Sequence, residues 1–502
     1  MVFSALLLTF SGCSEDFYNR EAGDRITPDQ HYKNTYDAIT SVWGAIVYLQ
    51  DALPRLIMLD GLRSDMMDVT PYTSLDLKEI NDHQVSPGNP YTNTADLYKV
   101  IVNLNEVLVH LDELAANDPT FDENIQYFIT GDMLAMRAWV YLTLVRLHGQ
   151  AVYIPDNLTT LPENPEVFRQ DNLMEGDVLI DTLINQLIPY IYDPTVGIER
   201  QEYGIGGYNS PKAMLGELYL EVNDYANAVI YLKMACESFG NTLSLYKVDN
   251  TYSEDAWRNI FLNAESAGVE NMSVIPFNSL EDQNNPLVNW IGYNYEYMVK
   301  PSQVLIDSFM TQIPLSGEPG DLWRGLGTTF GLDTLSGESF ITKYEIDRAD
   351  PFSSDLIITR AADLHLMMAE AYNRMGDEKS QEYALMLLNQ GVNKVNPKPP
   401  EYARWRSNAG IRGRVYLASN EIPESVTGAA RTRRIEDLII QEKALEMAFE
   451  GKRWFDLVRV AKRRNDPAYL ANKVAAKFKG TAQYDEIRNR LMNPDNWYLP
   501  SE

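Results

Sequence analysis

The chain is poor in the residues that form disulfides, thiolate metal sites or cationic surfaces. Its 502 residues include only two cysteines, Cys13 and Cys236, and five scattered histidines, which excludes a disulfide framework and a cysteine zinc site. Acids outnumber Lys and Arg by 71 to 43, so the formal net charge is −28. Such a charge repels phosphate backbones and anionic headgroups. We therefore expect no nucleic-acid binding and no membrane docking through surface charge.

Catalytic motifs are also missing from the sequence. It contains no G-x-S-x-G nucleophile elbow and no G-x-x-x-x-G-K-[ST] phosphate loop. A glycosidase needs two carboxylates about 5–10 Å apart. Asp76, Glu79 and Asp82 offer such a group, but no motif selects a pair. We predict that the protein is not an enzyme, and no cofactor or bound metal is indicated.

Residues 1–13 have the pattern of a lipoprotein signal. The stretch MVFSALLLTFSG is too short to span a bilayer and fits the end of a secretory signal whose true start lies upstream. The FSGC sequence that ends at Cys13 resembles a bacterial lipobox, in which the cysteine accepts lipid chains that hold a protein at a membrane. The following SED resembles the export signal of surface lipoproteins in Bacteroidetes-type bacteria. We expect Cys13 to be a lipid anchor; the alternative is a free cysteine without a role.

The rest of the chain, residues 14–502, is predicted to be a single, mainly α domain. Apolar spacings of three and four predict helix pairs near 97–148, 211–237, 358–395 and 435–463. The stretch at 210–237 matches most of the tetratricopeptide (TPR) spacing, with Gly216 as a small residue between the helices and Asn223 at the turn. On this interpretation Cys236 is a small core residue of the second helix.

Two loop-rich regions, 64–96 and 238–356, are the predicted ligand-binding side, because long loops in compact proteins are usually functional. Sugars bind flat aromatic rings flanked by amides and carboxylates. Alternation at Tyr293, Tyr295 and Tyr297 places three rings on one face if the segment is extended, although such a face could instead pack on the core. The candidate ligand residues are Trp290, Tyr293, Tyr295, Tyr72, Asn81, His83, Tyr91 and Trp323.

Several segments resemble the RagB/SusD family of Bacteroidetes lipoproteins. They are MRAWVYLTLVRLHGQAVYIP at 136–155, LHLMMAEAYNRMGD at 364–377, IEDLIIQEKALEMAFEGKRWFDLVR at 435–459, SDMM at 64–67 and the closing NWYLPSE. Without the family resemblance, the segment at 435–459 indicates a charge network at helix ends formed by Glu446, Glu450, Arg453 and Asp456. The alternative is a catalytic arginine.

The resemblance implies both a fold and a role. The fold would be a right-handed superhelical scaffold of TPR-like helix-turn-helix pairs with a loop-rich ligand side. The role would be non-catalytic capture of glycan at the cell surface, with delivery to a SusC-like TonB-dependent outer-membrane transporter. Some relatives bind peptides instead. Peptide capture, which relies on backbone hydrogen bonds and tolerant pockets, and a TPR adaptor that scaffolds surface complexes therefore stay open.

Overall fold

The computed structural model describes residues 32–155, 158, 162–191, 210–238, 246–249, 251–262, 264, 270–344 and 349–500. The predicted anchor, Cys13, lies outside the described residues.

Eighteen α-helices and eight short strands lie within these residues. The helices are α1 (Thr35–Arg63), α2 (Leu75–Asn81), α3 (Ala95–Asn117), α4 (Glu123–His148), α5 (Pro165–Asp171), α6 (Gly176–Leu187), α7 (Pro211–Glu221), α8 (Tyr225–Cys236), α9 (Glu254–Leu262), α10 (Pro286–Ile291), α11 (Gln303–Met310), α12 (Ala361–Met375), α13 (Glu378–Leu388), α14 (Ile411–Arg414), α15 (Gly428–Glu446), α16 (Arg453–Arg464), α17 (Pro467–Ala475) and α18 (Gln483–Leu491). The strands are β1 (Met67–Val69), β2 (Gln150–Val152), β3 (Leu173–Glu175), β4 (Asn271–Ile275), β5 (Val299–Pro301), β6 (Phe330–Leu332), β7 (Ser339–Ile341) and β8 (Leu356–Arg360).

The strands form four separate two-stranded antiparallel sheets. The pairs are β1–β5, β2–β3, β4–β8 and β6–β7. In the first, Met67, Asp68 and Val69 stand opposite Pro301, Lys300 and Val299. This pair joins the two predicted loop-rich regions, because β1 lies in one of them and β5 in the other.

The predicted mainly α fold is confirmed. Helices α3 and α4, α7 and α8, α12 and α13, and α15 and α16 lie over the four segments in which the sequence predicts helix pairs. Helix α12 is central, because it packs against α8, α13 and α15. Nearly all of α12 is buried, and its thirteen buried residues run from Ala361 to Asn373.

Small residues determine how closely the second pair packs. A Cβ at Gly216 would lie 2.5 Å from Leu232 Cγ, so only glycine allows α7 to approach α8 this closely. Asn223 has a φ of +64° in the turn between them, a conformation that asparagine tolerates better than most residues. Cys236 is fully buried on α8, as predicted, and burial raises the pKa of its thiol.

Helices α1 and α4 are long and apolar enough to cross a membrane by length and composition alone. Both are core helices here: α1 packs against α3, α4 packs against α3 and α7, and most of each apolar window is buried inside the protein. Gly149 caps the C-terminus of helix α4: its φ is +80°, and its N–H donates to Val145 O at 2.7 Å.

Candidate functional site

A turn in the first loop-rich region presents Tyr72 to solvent. Pro71 pre-sets the turn, and Thr73 N–H donates to Thr70 O at 3.3 Å. The Thr70 amide donates to Thr73 Oγ1 at 2.7 Å, and the Tyr72 amide donates to Thr70 Oγ1 at 3.1 Å. These hydrogen bonds within the turn fix its backbone, and the Tyr72 side chain is 69% exposed.

The turn is joined to the second loop-rich region by hydrogen bonds as well as by strands β1 and β5. Thr70 Oγ1 donates to Tyr297 O and Thr73 Oγ1 to Met298 O, both at 2.5 Å. Ser302 N–H donates to Met66 O at 2.9 Å. The two regions therefore present one fixed surface.

The segment with the tyrosine alternation is a turn and not a strand, which corrects the extended conformation considered from the sequence. Helix α10 ends at Gly292, and a chain of turn bonds follows: Tyr295 N–H donates to Gly292 O at 3.1 Å, and Met298 N–H to Trp290 O at 2.7 Å. Tyr297 has a φ of +45° and is buried, with its hydroxyl donating to Ser339 O at 2.6 Å. The three rings consequently do not share one strand face.

Tyr293 instead packs on the hairpin formed by β6 and β7. Its ring stacks on Phe340 with centroids 4.9 Å apart and planes 20° apart. Phe340 in turn lies over Gly331, its partner across the strands, where a Cβ would be 2.4 Å from the phenyl ring. The Tyr293 hydroxyl donates to Asp333 Oδ2 at 2.8 Å.

We call the surface formed by Tyr72, Tyr293 and Phe340 the aromatic face. Tyr297 links its rings, since its centroid lies 6.5 Å from that of Tyr72 and 5.1 Å from that of Tyr293. Tyr295, 40% exposed, contacts Phe352 at 5.3 Å on the other side of the turn. The face is thus open, rigid and lined by rings from three chain segments.

Tyr91 and Trp290 support this face from below. Their rings meet edge to face at 5.7 Å, and both side chains are half-buried against the main core. Tyr91 Oη lies 3.9 Å from Met298 Sδ, next to the turn that carries the tyrosines. Of the eight predicted ligand residues, the structure therefore brings Tyr72, Tyr91, Trp290 and Tyr293 together, whereas the Tyr295 ring contacts Phe352 instead.

Asn81 and His83 lie elsewhere. Asn81 is 2% exposed and donates through Nδ2 to Asp82 Oδ1 at 3.0 Å at the end of α2. The His83 ring packs on Trp454 at 5.3 Å, and its carbonyl accepts from Arg490 at 3.0 Å. Burial and neighbouring cations hold the pKa of His83 well below its ordinary value, so its ring is neutral. His83 thus attaches the first loop to the C-terminal helices.

Trp323 belongs to a separate small core. It is half-buried against a cluster that includes Trp257, Phe261 and Leu417. Its position follows from the next residue, Arg324, which is fully buried among carboxylates and pulls the loop inward.

The FEGKRWFDL segment contributes to a buried charge network, as one of the two interpretations of the sequence predicts. The network has five acids and five bases, and all ten side chains are buried. They are Glu270, Asp321, Glu442, Glu446, Glu450, Arg324, Lys343, Arg360, Arg412 and Arg414.

Arg360 is the central base of this network. It reaches Glu450 and Glu270 at 3.0 Å and Glu446 at 2.9 Å, and it also donates to Glu446 O at 2.6 Å. Arg453 pairs outside the network, with both oxygens of Asp65 at 2.7 and 2.8 Å. Because their donors are engaged in buried ion pairs, these arginines support the fold and are not presented to a substrate.

Of the three acids considered for glycosidase chemistry, Glu79 makes structural hydrogen bonds. Glu79 accepts from Ser86 Oγ at 2.8 Å and from the Ser86 amide at 2.9 Å, which closes the loop after α2. In the part of the chain that the structure describes, no group of three or more His, Cys, Asp or Glu side chains is arranged to hold a metal ion.

A cleft of about 360 Å³ lies away from the aromatic face, between the end of α4, the start of α6, the end of α7 and helix α16. Arg146, Glu221, Phe455 and Lys462 line it. Arg146 is already paired with Glu217 at 2.6 Å and Glu221 at 2.8 Å. A ligand would have to break these pairs, so the cleft is a poorer candidate than the open rings.

Sequence reasoning missed Phe340 and Asp333. Both lie in a stretch that the sequence marks only as loops with short strands. The available signal was the spacing of Gly331 and Phe340 on the two sides of a DTLSGE turn, because an aromatic ring often covers a glycine across a hairpin.

The fold and the aromatic face define a class: a mainly α, helix-pair protein that carries an open ring surface on its loops. Residues 342–501 match the sequence model of the SusD family. SusD-like protein P2 of Formosa agariphila is 22% identical over 92% of this chain and 90% of that protein.

Solved structures share the fold over most of the chain. A SusD superfamily protein from Bacteroides vulgatus superposes with a TM-score of 0.68 at 16% identity, covering 92% of this chain and 93% of that one. A laminarin-binding SusD-like protein gives a TM-score of 0.60 at 17% identity, covering 90% and 96%. Residues 342–501 are therefore similar to the SusD family, and the chain shares the fold of these solved structures, as the resemblance to the RagB/SusD family predicts.

Proposed function

We propose that this protein binds glycan on the aromatic face. The observation that carries the proposal is the exposed ring of Tyr72, which Tyr297 links to the stacked rings of Tyr293 and Phe340. Pyranose rings present C–H faces that pack on aromatic rings, and their hydroxyls need acceptors nearby. The Asp333 carboxylate lies at this face, and Glu296 is exposed in the turn between Tyr293 and Tyr297, so both can supply such acceptors. The laminarin-binding protein of the same fold supports this ligand class.

We further propose the cellular role that the family resemblance implies. The protein would be a non-catalytic lipoprotein at the outer face of the outer membrane that passes glycan to a TonB-dependent transporter. A net charge of −28 gives no electrostatic affinity for anionic lipid, so a lipid on Cys13 must hold the protein there. Cys13→Ala should move the protein from the membrane fraction to the soluble fraction. Unchanged membrane association would contradict the anchor.

Calorimetry tests the binding proposal. The soluble protein without residues 1–13 is titrated with soluble neutral and acidic polysaccharides, including laminarin, and in parallel with a mixed peptide digest. We expect heat from at least one glycan class. Heat from the peptide digest alone would show that the ligand is a peptide and not a glycan. New reducing ends after long incubation with polysaccharide would indicate a glycosidase.

A matched pair of tyrosine variants locates the site. Tyr72→Ala removes an exposed ring and is expected to weaken glycan binding about tenfold, the magnitude of one lost ring contact. Tyr36→Ala is the control, because Tyr36 is 76% exposed near the start of α1, about 40 Å of helix away from β1. Equal effects of the two substitutions would place the site elsewhere. Binding that survives both Tyr72→Ala and Tyr293→Ala would favour the helical scaffold as the interaction surface.

A further inference from the structure

The aromatic face carries carboxylates in excess of cations. Asp333 is bonded to Tyr293, and Glu338 accepts from the Tyr297 hydroxyl at 3.2 Å. Glu296 is exposed in the turn between Tyr295 and Tyr297, and it accepts from Asn289 at 2.7 Å. Together with Asp76 at the start of α2, Glu296 acts electrostatically on the Tyr91 hydroxyl, whose pKa is raised by burial and by these two charges.

Only one of these four acids has a basic partner within the described ranges. Lys300 contacts Glu338 at 3.0 Å. No ion pair to Asp76, Glu296 or Asp333 occurs in the part of the chain that is described. The local charge therefore has the same sign as the net charge of the whole chain, −28.

Asp333 is fixed in its ionised form by its turn. Its Oδ1 accepts from the Leu335 amide at 2.8 Å, and its Oδ2 accepts from the Tyr293 hydroxyl at 2.8 Å and Ser336 Oγ at 2.9 Å. These donors lower the pKa of Asp333 to about 2. The carboxylate is thus a permanent, oriented negative charge next to the stacked rings.

Such charges act differently on neutral and acidic sugars. A sugar hydroxyl can donate to a carboxylate, and a charge-assisted bond of this kind is stronger than one to a neutral acceptor. A uronate or sulfate group about 4 Å from one carboxylate is repelled by a factor of about five even at the dielectric constant of water. Two carboxylates multiply that factor.

We propose that the aromatic face selects glycans without negative charge, and that Asp333 and Glu296 are the residues that exclude uronic acid and sulfated polysaccharides. This inference rests on the glycan-binding function proposed above and adds the substrate class. The rings of Tyr72 and Tyr293 contact any pyranose, whereas the carboxylates decide which charge the sugar can bear.

Ligand pairs that differ only in charge test the inference. Laminarin is compared with sulfated laminarin, and carboxyl-reduced polygalacturonate with polygalacturonate, by calorimetry in 20 mM and 500 mM NaCl. We expect at least one neutral member to bind, and its acidic counterpart to bind at least about fivefold more weakly at low salt. Because the screening length shrinks from about 20 Å to about 4 Å, the ratio should fall at high salt.

Charge-neutral variants test whether Asp333 and Glu296 cause the difference between the dissociation constants of the acidic and neutral ligands. Asp333→Asn combined with Glu296→Gln should reduce the ratio of the two dissociation constants at least about fivefold. The ratio is the readout because a loss of ring packing weakens both ligands alike. Glu113→Gln, an exposed acid on α3, is the control and should leave the ratio unchanged.

The outcomes separate the two proposals. Preference for the sulfated or uronate member, or a ratio that the double variant does not change, overturns the charge selection while glycan binding stands. Binding of neither member of any pair overturns the glycan-binding function and this inference together.

Discussion

Neutralising Glu446 tests whether the buried charge network stabilises the fold. Its carboxylate contacts Arg324 at 2.8 Å, Arg360 at 2.9 Å and Arg414 at 3.2 Å, with no exposed surface. Glu446→Gln keeps the size of the side chain but removes its charge, so five buried bases face four buried acids. Removing one partner of a buried ion pair costs about 3–5 kcal/mol.

The pH dependence of folding gives a similar magnitude. Burial alone would raise the pKa of Glu446, but Arg414, Arg360 and Arg324 outweigh it and lower the pKa from 4.5 to about 2. A carboxyl with a lower pKa in the folded than in the unfolded state stabilises the fold above the unfolded pKa. The difference between the two pKa values corresponds to about 3 kcal/mol of stability at neutral pH. This contribution is lost as the pH falls from about 4.5 towards 2.

Urea unfolding followed by tryptophan fluorescence provides the measurement. At pH 7 we expect Glu446→Gln to lower the free energy of unfolding by about 3–5 kcal/mol. At pH 4 the difference in the free energy of unfolding between the wild-type protein and the variant should be about 1 kcal/mol smaller. The reason is that the Glu446 carboxyl of the wild-type protein is largely protonated in the unfolded state at this pH. The control, Glu113→Gln, alters an acid whose side chain is 65% exposed and should change stability by less than about 0.5 kcal/mol. A loss below about 1 kcal/mol at pH 7 would refute a stabilising role for the network.

Two other predictions concern packing at the site and in the scaffold. Gly331→Ala puts a methyl group 2.4 Å from the Phe340 ring, so we expect the ring to move off Tyr293 and glycan binding measured by calorimetry to weaken; Gly44→Ala, with no heavy atom within 4 Å of the new Cβ, should leave binding unchanged. Cys236 should resist a thiol reagent in the native protein and react fully in urea, because it is completely buried and burial raises its pKa; rapid native labelling would show that α7 and α8 open.

The helical half of the fold is predictable because its signals are local. The small residue at Gly216, the left-handed turn at Asn223 and the helix stop at Gly149 each act within a few residues of their own position. Each of these features is readable in a window of about ten residues. The partners of Arg360 are not, since Glu270, Glu446 and Glu450 lie 86 to 90 residues away in the chain.

For the candidate site, the sequence shows which rings are available but not how they are arranged. The sequence shows that residues 286–300 are rich in rings, and period-two spacing favours a strand. Tertiary contacts decide otherwise: the Tyr297 hydroxyl bonds to Ser339 O across the β6–β7 hairpin, and its backbone adopts a φ of +45°. His83 and Trp323 show the converse error, because a polar or aromatic loop residue can serve packing as well as binding.

The rigidity of the aromatic face bears on how it would bind. Strand β1 pairs with β5, and Thr70 and Thr73 fasten the Tyr72 turn to the segment that carries Tyr293. The backbone that carries Tyr72 is therefore ordered before a sugar packs on its ring, which lowers the entropic cost of binding to an open surface. An open face also lets a long polysaccharide lie across it without threading an end into a pocket. Capture of chain interiors, rather than chain ends, is the mode that this geometry favours.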